Sequence, residues 1–174
     1  MLSEVFMNVK ELIKNINAEK ISGNQEIDIK DICIDNRICT PGDAFICIKG
    51  FSTDGHKFAD GAIKNGASAV FVQDDEKYQE LSCRCDEENF CVIKVADTRN
   101  LLPVLSDTLF RHPSGELNLI GITGTKGKTT TTYMIKGIYD YNRIKTGLIG
   151  TMCNMIGTEV IETERTTPEA NVLQ

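Results

Sequence analysis

A glycine-rich loop followed by lysine and threonine is the segment of this sequence best suited to chemistry. It reads GITGTKGKTTTT, residues 121–132, and lies between an apolar run and a helical pattern. Backbone N–H groups at such a strand-to-helix transition converge on one point, where they bind phosphate. Gly124 and Gly127 allow close approach of an anion, because neither carries a Cβ atom. The loop is therefore predicted to bind the phosphates of a nucleotide.

Two side chains of the loop add chemistry to this cradle. Lys128 brings a mobile positive charge to the outer phosphates, and the hydroxyl of Thr129 is placed to hold Mg²⁺. The spacing is G-x-x-G-K-T, tighter than the strict G-x-x-x-x-G-K-[ST] pattern, because Ile122 stands five residues before Gly127. An ordinary glycine turn before a helix is the alternative interpretation. The apolar strand before the loop and the helix after it favour phosphate binding.

The elements around the loop describe the start of a domain. The pattern predicts a strand at 117–122, a helix at 129–142, a strand at 146–151, a hairpin turning at Gly157, and a helix with Thr167 as N-cap and Pro168 first. A P-loop enzyme normally needs a further carboxylate for Mg²⁺, and nothing after Lys128 offers an apolar strand ending in Asp. Two parallel strands would also leave apolar faces and sheet edges open. We therefore expect an incomplete domain, either cut from a longer chain or completed by another subunit.

A mixed pattern of helices and strands precedes the loop. It predicts a helix within 2–16, strands at 27–34, 43–50, 68–73 and 90–95, a helix near 56–65 ending at Gly66, a loop or weak helix at 74–89, and a helix after Asp97 with Pro103 in its first turn. His112-Pro113 and Gly115 disfavour continued helix, so the predicted domains are 1–113 and 114–174. The fold class is α/β: a small mixed α/β domain, then the start of a P-loop-type parallel α/β domain.

Composition narrows the classes of function. The 174 residues are 41% hydrophobic and 25% charged, which is typical of a soluble globular protein, and a net charge of −6 argues against nucleic-acid binding. Charges interrupt the first apolar residues, and no apolar run could span a bilayer, so neither a signal peptide nor a membrane partner is expected. Seven cysteines without a C-x-x-C pair, and only two histidines, argue against a zinc site. We expect a cytoplasmic monomer with reduced thiols.

The combination of GITGTKGKTTTT with GLIGT and TTPEA resembles the ATP-dependent Mur ligases of bacterial cell-wall synthesis. The resemblance is greatest to their UDP-N-acetylmuramoyl-tripeptide synthetase branch, and residues 35–72 resemble the uridine-binding first domain of that branch. The loop alone would also fit folylpolyglutamate synthetase and cyanophycin synthetase. The resemblance covers nearly the whole chain. It implies a ligase that uses ATP and Mg²⁺ to activate UDP-N-acetylmuramoyl-dipeptide as an acyl phosphate, which the amino group of an amino acid then attacks.

The resemblance also implies roles for particular residues. The phosphate-binding residues would be Gly124, Thr125, Lys126, Gly127, Lys128, Thr129 and Thr130, with Lys128 and Thr129 as the catalytic pair and Thr129 on the metal. Asn36 and Arg37 match a Ser-Arg pair that contacts uridine. The remaining substrate contacts would be Phe51, Ser52 and Thr53 on the next uridine-facing loop, and Thr166 and Thr167 near the sugar-peptide or its diphosphate. Without the resemblance, Asn36–Arg37 would be interpreted as a strand-end turn and Thr166–Thr167 as a helix cap.

The resemblance also implies that parts of the family's structure have no counterpart in this sequence. Members of the family are more than twice as long, and the later metal ligands, the adenine-contacting part and the C-terminal domain have no counterpart here. We therefore expect the 174-residue chain to catalyse no ligation by itself, and the sequence does not identify the amino acid that is added. Two alternatives stay open: a UDP-sugar-peptide-binding module without catalysis, and an unrelated P-loop nucleotide-binding protein.

Overall fold

The computed structural model describes residues 6–50, 53–161 and 168–174, which divide into two compact units. Unit 1 extends to Glu116, and unit 2 runs from Leu117 to Leu173. Both units combine helices with strands, and the predicted α/β fold class is confirmed. None of the helices in the described ranges is long and apolar enough to cross a bilayer.

Unit 1 is built on a five-stranded sheet. Its described strands are β1 (Met7–Asn8), β2 (Ala18–Gly23), β3 (Asp28–Ile29), β4 (Asp31–Cys33), β5 (Asp43–Ile46), β6 (Ala69–Val72) and β7 (Cys91–Val95). Its helices are α1 (Val9–Leu12), α2 (Ala59–Lys64), α3 (Asp75–Ser82) and α4 (Thr98–Leu109), with 3-10 turns at Gly55–Phe58 and Pro113–Glu116. The sheet order is β2-β7-β6-β5-β4, in which β4 to β7 are parallel and β2 is antiparallel to β7. Strands β1 and β3 form a separate antiparallel pair.

The core of unit 1 follows from the composition of its central strands. Every residue of β5, β6 and β7 is buried, as expected for parallel strands covered on both faces. The strands predicted at 43–50, 68–73 and 90–95 are confirmed, with shorter bounds. Helix α4 directs four leucines inward, namely Leu101, Leu102, Leu105 and Leu109.

Two predicted elements of unit 1 need correction, and a third was left open between loop and helix. Within the described part of the predicted 2–16 helix, only Val9–Leu12 is α-helical, because Asn8 caps it by accepting a hydrogen bond from the Glu11 N–H at 2.8 Å. The strand predicted at 27–34 divides at Lys30, so that β3 pairs with β1 and β4 pairs with β5. The segment at 74–89, predicted as loop or weak helix, contains α3, so the helix alternative is observed for Asp75–Ser82.

The position of Pro103 was also predicted wrongly. The proline lies in the interior of α4, because the carboxylate of Asp97 accepts hydrogen bonds from the N–H groups of Arg99 and Asn100 at 2.8 and 3.0 Å and starts the helix at Thr98. Pro103 lies on the exposed face of the helix. Water can therefore hydrate the carbonyl group that loses its helical donor there, which reduces the cost of an interior proline.

Unit 2 contains one long helix and a small antiparallel sheet. Its described elements are α5 (Lys128–Tyr141), β8 (Gly147–Ile149), β9 (Asn154–Ile156), β10 (Glu159–Ile161) and α6 (Ala170–Leu173). The helix predicted at 129–142 is confirmed, and so is the hairpin turn at Gly157, which has a φ of +60°. The final helix begins at Ala170 rather than Pro168, and its predicted cap, Thr167, lies outside the described residues.

The parallel strands predicted for unit 2 are not observed. Residues 117–122 form no strand, and the side chains of Leu119 and Ile120 are 77% and 54% exposed. A parallel strand needs a hydrogen-bonded neighbour, and none of the described residues pairs with this segment. Strand β8 instead pairs antiparallel with β9. Apolar sequence alone therefore did not suffice to make residues 117–122 a strand.

Candidate functional site

The loop before α5 has a backbone conformation that depends on its two glycines. Gly124 has a φ of +149° and Gly127 a φ of +79°, a region that side-chain-bearing residues rarely adopt. A Cβ atom at Gly127 would meet no atom of the described chain within 4 Å. Glycine is therefore required here by the turn rather than by packing, and the face of the loop above the helix is open.

The start of α5 is electrostatically suited to an anion. The first N–H groups of an α-helix have no intrahelical acceptor. Helix α5 has neither a side-chain cap nor an acidic residue in its first turn, so these groups and the positive end of the helix dipole are not compensated. The ammonium group of Lys128 donates a hydrogen bond to the carbonyl oxygen of Gly124 at 2.5 Å. The lysine charge is therefore held over the loop, where Thr125 and Lys126 are exposed.

Hydrogen bonding divides the four threonines of the run into two kinds. The hydroxyls of Thr131 and Thr132 donate to the carbonyl oxygens of Gly127 and Thr129, at 2.9 and 2.8 Å. The hydroxyls of Thr129 and Thr130 make no hydrogen bond to the part of the chain that the structure describes. Hydroxyl oxygen is a ligand of the kind that Mg²⁺ accepts, so the half-buried Thr129 has a group available for it.

The predicted uridine contacts Asn36 and Arg37 lie on the loop that joins β4 to β5. The guanidinium of Arg37 donates to the carboxylate of Asp35, with an Nε–Oδ1 distance of 2.9 Å and an Nη2–Oδ2 distance of 2.5 Å. These hydrogen bonds lower the pKa of Asp35 to about 2. The Arg37 side chain is 82% exposed.

Helix α2 and the residue after it hold Asn36, the other predicted uridine contact on this loop. A Cβ atom at Gly61 would come within 2.5 Å of the Asn36 Nδ2 atom, so the Asn36 side chain packs directly on the helix backbone. The carbonyl oxygen of Asn36 accepts a hydrogen bond from Asn65 Nδ2 at 2.7 Å. Gly61 and Asn65 therefore position Asn36. Neither was predicted from the sequence, because the Asn36–Asn65 contact joins residues that are 29 positions apart in the chain.

A second predicted loop leaves the same edge of the sheet. Thr53 is exposed on the loop after β5, and its carbonyl oxygen accepts a hydrogen bond from the Gly50 N–H at 2.9 Å. Strands β4 and β5 are parallel, so their carboxyl ends meet at one edge, where α/β proteins commonly bind ligands. The other predicted contacts, Phe51, Ser52, Thr166 and Thr167, lie outside the described residues.

A buried polar network holds the loop after β5. His56 Nε2 accepts a hydrogen bond from the Gln73 N–H at 3.0 Å, which leaves the Nδ1 proton to bond the Asp54 carboxylate at 2.6 Å. The Thr98 hydroxyl oxygen lies 2.8 Å from the Cys47 carbonyl oxygen and 2.9 Å from Gln73 Oε1. The network ties the two ends of the loop to β6 and α4.

Sequence reasoning missed this network. The D-x-H sequence of Asp54 and His56 was a local signal, since an aspartate two residues before a histidine can bond its ring. Gln73 and Thr98 offered no local sequence signal, because their contacts depend on the order of the strands in the sheet.

Two protein-family models match parts of the chain. Residues 28–108 match "Mur ligase family, catalytic domain", and residues 122–174 match "Mur ligase middle domain". The sequence is 44% identical over 164 residues to the UDP-N-acetylmuramoyl-L-alanyl-D-glutamate--2,6-diaminopimelate ligase of Clostridium perfringens, over 94% of this chain and 32% of the relative. The enzyme of the same name from Alkaliphilus metalliredigens is 44% identical over 168 residues, which cover 97% of this chain and 32% of that enzyme. The chain thus spans about one third of these relatives.

Solved structures show the same fold. A structure of UDP-N-acetylmuramoyl-L-alanyl-D-glutamate--2,6-diaminopimelate ligase matches with a TM-score of 0.68 at 21% identity, over 97% of this chain and 32% of that one. A UDP-N-acetylmuramoylalanyl-D-glutamyl-2,6-diaminopimelate--D-alanyl-D-alanyl ligase from Acinetobacter baumannii matches with a TM-score of 0.56 at 26% identity, over 81% of this chain and 30% of that one. The first likeness, at 21% identity, concerns the fold alone.

Proposed function

Because the chain belongs to the Mur ligase family, we propose that it is the N-terminal part of an ATP-dependent ligase that adds the third residue to UDP-N-acetylmuramoyl-dipeptide in peptidoglycan synthesis. The names of the relatives specify 2,6-diaminopimelate, and we propose the same amino acid here. The observation that carries the proposal is the uncapped start of α5 with Lys128 over its loop, inside the segment that matches the middle domain.

The domain assignment follows the same proposal. Residues 1–113 form the UDP-sugar-binding domain, and residues 114–174 form the first part of the ATP-binding domain. The gap between the two family matches, after residue 108 and before residue 122, supports a junction there, and so does the division into units after Glu116. Asn36, Arg37 and the loop after β5 would hold the uridine part of the substrate.

The chemistry needs no protein nucleophile. The terminal carboxylate of the dipeptide attacks the γ-phosphate of ATP, ADP leaves, and the amino group of the incoming amino acid displaces phosphate from the acyl phosphate. Catalysis is then a matter of position and charge. The backbone of Gly124–Thr130 would cradle the phosphates, Lys128 would neutralise the charge on the transferred group, and the Thr129 hydroxyl would hold Mg²⁺. The chain covers one third of the relatives, so this activity is proposed for the whole protein and not for the 174 residues alone.

Binding of the uridine ligand tests the assignment of unit 1. We expect calorimetric titration with UDP-N-acetylmuramoyl-dipeptide to show binding that weakens at least about tenfold in Arg37→Ala, since a hydrogen bond to a charged group is worth roughly 1.5–3 kcal/mol. Lys14→Ala is the matched control, because it removes a positive charge from an exposed lysine after α1, outside the loops proposed to hold uridine.

MgATP binding tests unit 2 in the same way. Lys128→Ala should weaken it, whereas Lys145→Ala, an exposed lysine after the far end of α5, should not. Binding of the uridine ligand without MgATP would support a binding module in place of a ligase. Binding of MgATP by a folded chain that ignores the uridine ligand would support an unrelated P-loop protein.

A further inference from the structure

Unit 1 contains a buried group of metal-ligating side chains that the proposed ligase chemistry does not use. Cys33 is the last residue of β4, Asp43 is the first residue of β5, and Cys39 lies on the loop between them. All three are buried, and their ligand atoms lie within 4.8 Å of one another. We propose that Cys33, Cys39 and Asp43 form a binding site for a divalent cation of the zinc type.

The donor set suits such an ion. Zinc binds cysteine sulfur at about 2.3 Å and carboxylate oxygen at about 2.0–2.2 Å, which places tetrahedral donors about 3.5–4 Å from one another. Donors within 4.8 Å of one another reach that arrangement by small side-chain rotations. Two sulfurs among three donors select a soft or borderline ion over Mg²⁺ or Ca²⁺. The fourth position is left for water or a ligand from outside the chain.

The carboxylate of Asp43 gives a second, independent indication of a ligand. Its Oδ2 atom accepts hydrogen bonds from the Thr40 N–H at 2.7 Å and from the Thr40 hydroxyl at 3.1 Å. Its Oδ1 atom is buried and has no hydrogen-bond partner among the described residues. Lys30 Nζ lies 3.9 Å from Oδ1, beyond hydrogen-bond distance. A buried carboxylate oxygen without a donor is costly, and a cation would satisfy it.

Charge balance also favours a divalent ion. Two thiolates and one carboxylate carry three negative charges, which a divalent cation and the neighbouring ammonium of Lys30 would cancel. Uncompensated charge in a buried site is strongly destabilising, so this balance matters. The two hydrogen bonds from Thr40 fix the orientation of the Asp43 carboxylate, as groups behind a metal ligand commonly do.

A disulfide between Cys33 and Cys39 is the competing use of the same thiols. It would join the two sulfurs but leave Asp43 Oδ1 unsatisfied, whereas a cation uses all three side chains, and this difference favours the cation. Bound there, the ion would connect the carboxyl end of β4 to the amino end of β5 and to the loop that joins them. That loop carries Asn36 and Arg37, but the metal site itself does not depend on the proposed function.

The test is zinc binding by the full 174-residue chain, kept reduced with a phosphine and titrated with Zn²⁺ alone. We expect one tightly bound zinc per chain, with X-ray absorption showing two sulfur neighbours at about 2.3 Å. Cys39→Ser and Cys33→Ser should remove this zinc, and Asp43→Asn, which keeps the size of the side chain, should weaken binding at least about tenfold. Cys83→Ser is the matched control, because Cys83 is an exposed cysteine outside the cluster.

Circular dichroism of each variant establishes that it is folded before its zinc content is compared. The proposal is overturned if the folded, reduced wild-type chain takes up no zinc. Equal zinc uptake by Cys39→Ser and the wild type would also overturn it, as would loss of the zinc in Cys83→Ser. A Cys33–Cys39 disulfide formed in air, together with no zinc uptake after reduction, would assign the thiol pair to redox chemistry instead.

Discussion

The two units of this chain differ in how they bury their apolar residues. Among the described residues, unit 1 contains every buried apolar side chain except that of Leu148. Helix α5 of unit 2, in contrast, exposes Met134, Ile138 and Tyr141 along one face, with Tyr141 89% exposed. Unit 1 therefore forms its own core from its own sheet. Unit 2 has an apolar helix face of the kind that a larger sheet would cover, which agrees with the proposal of a longer ligase.

The polar contacts of the two units differ in the same way. In unit 1, Asp60 of α2 accepts a hydrogen bond from Lys77 of α3 at 2.7 Å and pairs with Arg84, so distant segments are joined. In unit 2, Lys136 donates to Asp140 at 2.7 Å, one turn away on the same helix. Unit 1 therefore depends on tertiary structure, whereas much of unit 2 depends on local helix and hairpin contacts.

Truncation of a large side chain in each unit should give the greatest contrast. Phe71 of β6 is fully buried, so Phe71→Ala should lower the free energy of unfolding by about 3–5 kcal/mol, through lost burial and the cavity left behind. Ile138→Ala, on the exposed face of α5, should change it by less than about 0.5 kcal/mol. Urea unfolding followed by far-ultraviolet circular dichroism measures both.

Val104→Ala on the exposed side of α4 serves as the control within unit 1, and its effect should resemble that of Ile138→Ala. If Ile138→Ala cost as much as Phe71→Ala, the apolar face of α5 would be covered in solution, and the contrast between the units would fail.

Acid should weaken unit 1 through Asp60. Hydrogen bonding by Lys77, together with the Arg84 pair, lowers the pKa of Asp60 below its value in the unfolded chain. A lowered folded-state pKa contributes stability that is present above the unfolded value, about 3.8, and is lost as the pH falls through the folded value. Since Asp60 is more than one third exposed, solvent screening limits the contribution to about 1 kcal/mol.

The measurement is urea unfolding of the wild type and Asp60→Asn at several pH values. Their stabilities should differ at pH 7, begin to converge as the pH falls below about 3.8, and meet once the pH is below the lowered pKa of Asp60 in the folded chain. Asp140→Asn, which removes a local helix pair in unit 2, should leave the unfolding of unit 1 unchanged at every pH. A difference between wild type and Asp60→Asn that persisted undiminished in acid would assign the effect to packing rather than to charge.

The sequence predicted best those elements whose signals are local. The apolar runs of β6 and β7 and the periodicity of α5 were sufficient, because a buried strand and an amphipathic helix are defined by a few consecutive residues. Residues 117–122 are apolar at four of six positions but form no strand, because pairing depends on a neighbour that no local pattern supplies. The interior position of Pro103 depended on the cap at Asp97, which the prediction overlooked.

The candidate sites show the same limit. The phosphate loop was recognisable because its glycines, lysine and threonines are consecutive, and their roles stay predictions until binding is measured. The absence of a C-x-x-C pair argued against zinc, yet the parallel pairing of β4 with β5 brings Cys33 and Cys39 beside Asp43. The proposed metal site depends on which strands are neighbours, and a search for cysteine spacing alone passes over it.

A pair of glycine-to-alanine changes in helices should give the smallest effect and the most direct comparison of the two units. Gly137 lies inside α5, where an added Cβ atom would meet nothing within 4 Å, so Gly137→Ala should stabilise that helix by about 0.5–1 kcal/mol. Gly61→Ala gains the same propensity in α2, but its Cβ atom would approach Asn36 Nδ2 to 2.5 Å. We expect the gain to be cancelled as Asn36 is displaced. Thermal unfolding followed by circular dichroism measures both changes, and an equal gain at the two positions would show that α2 does not hold Asn36 in place.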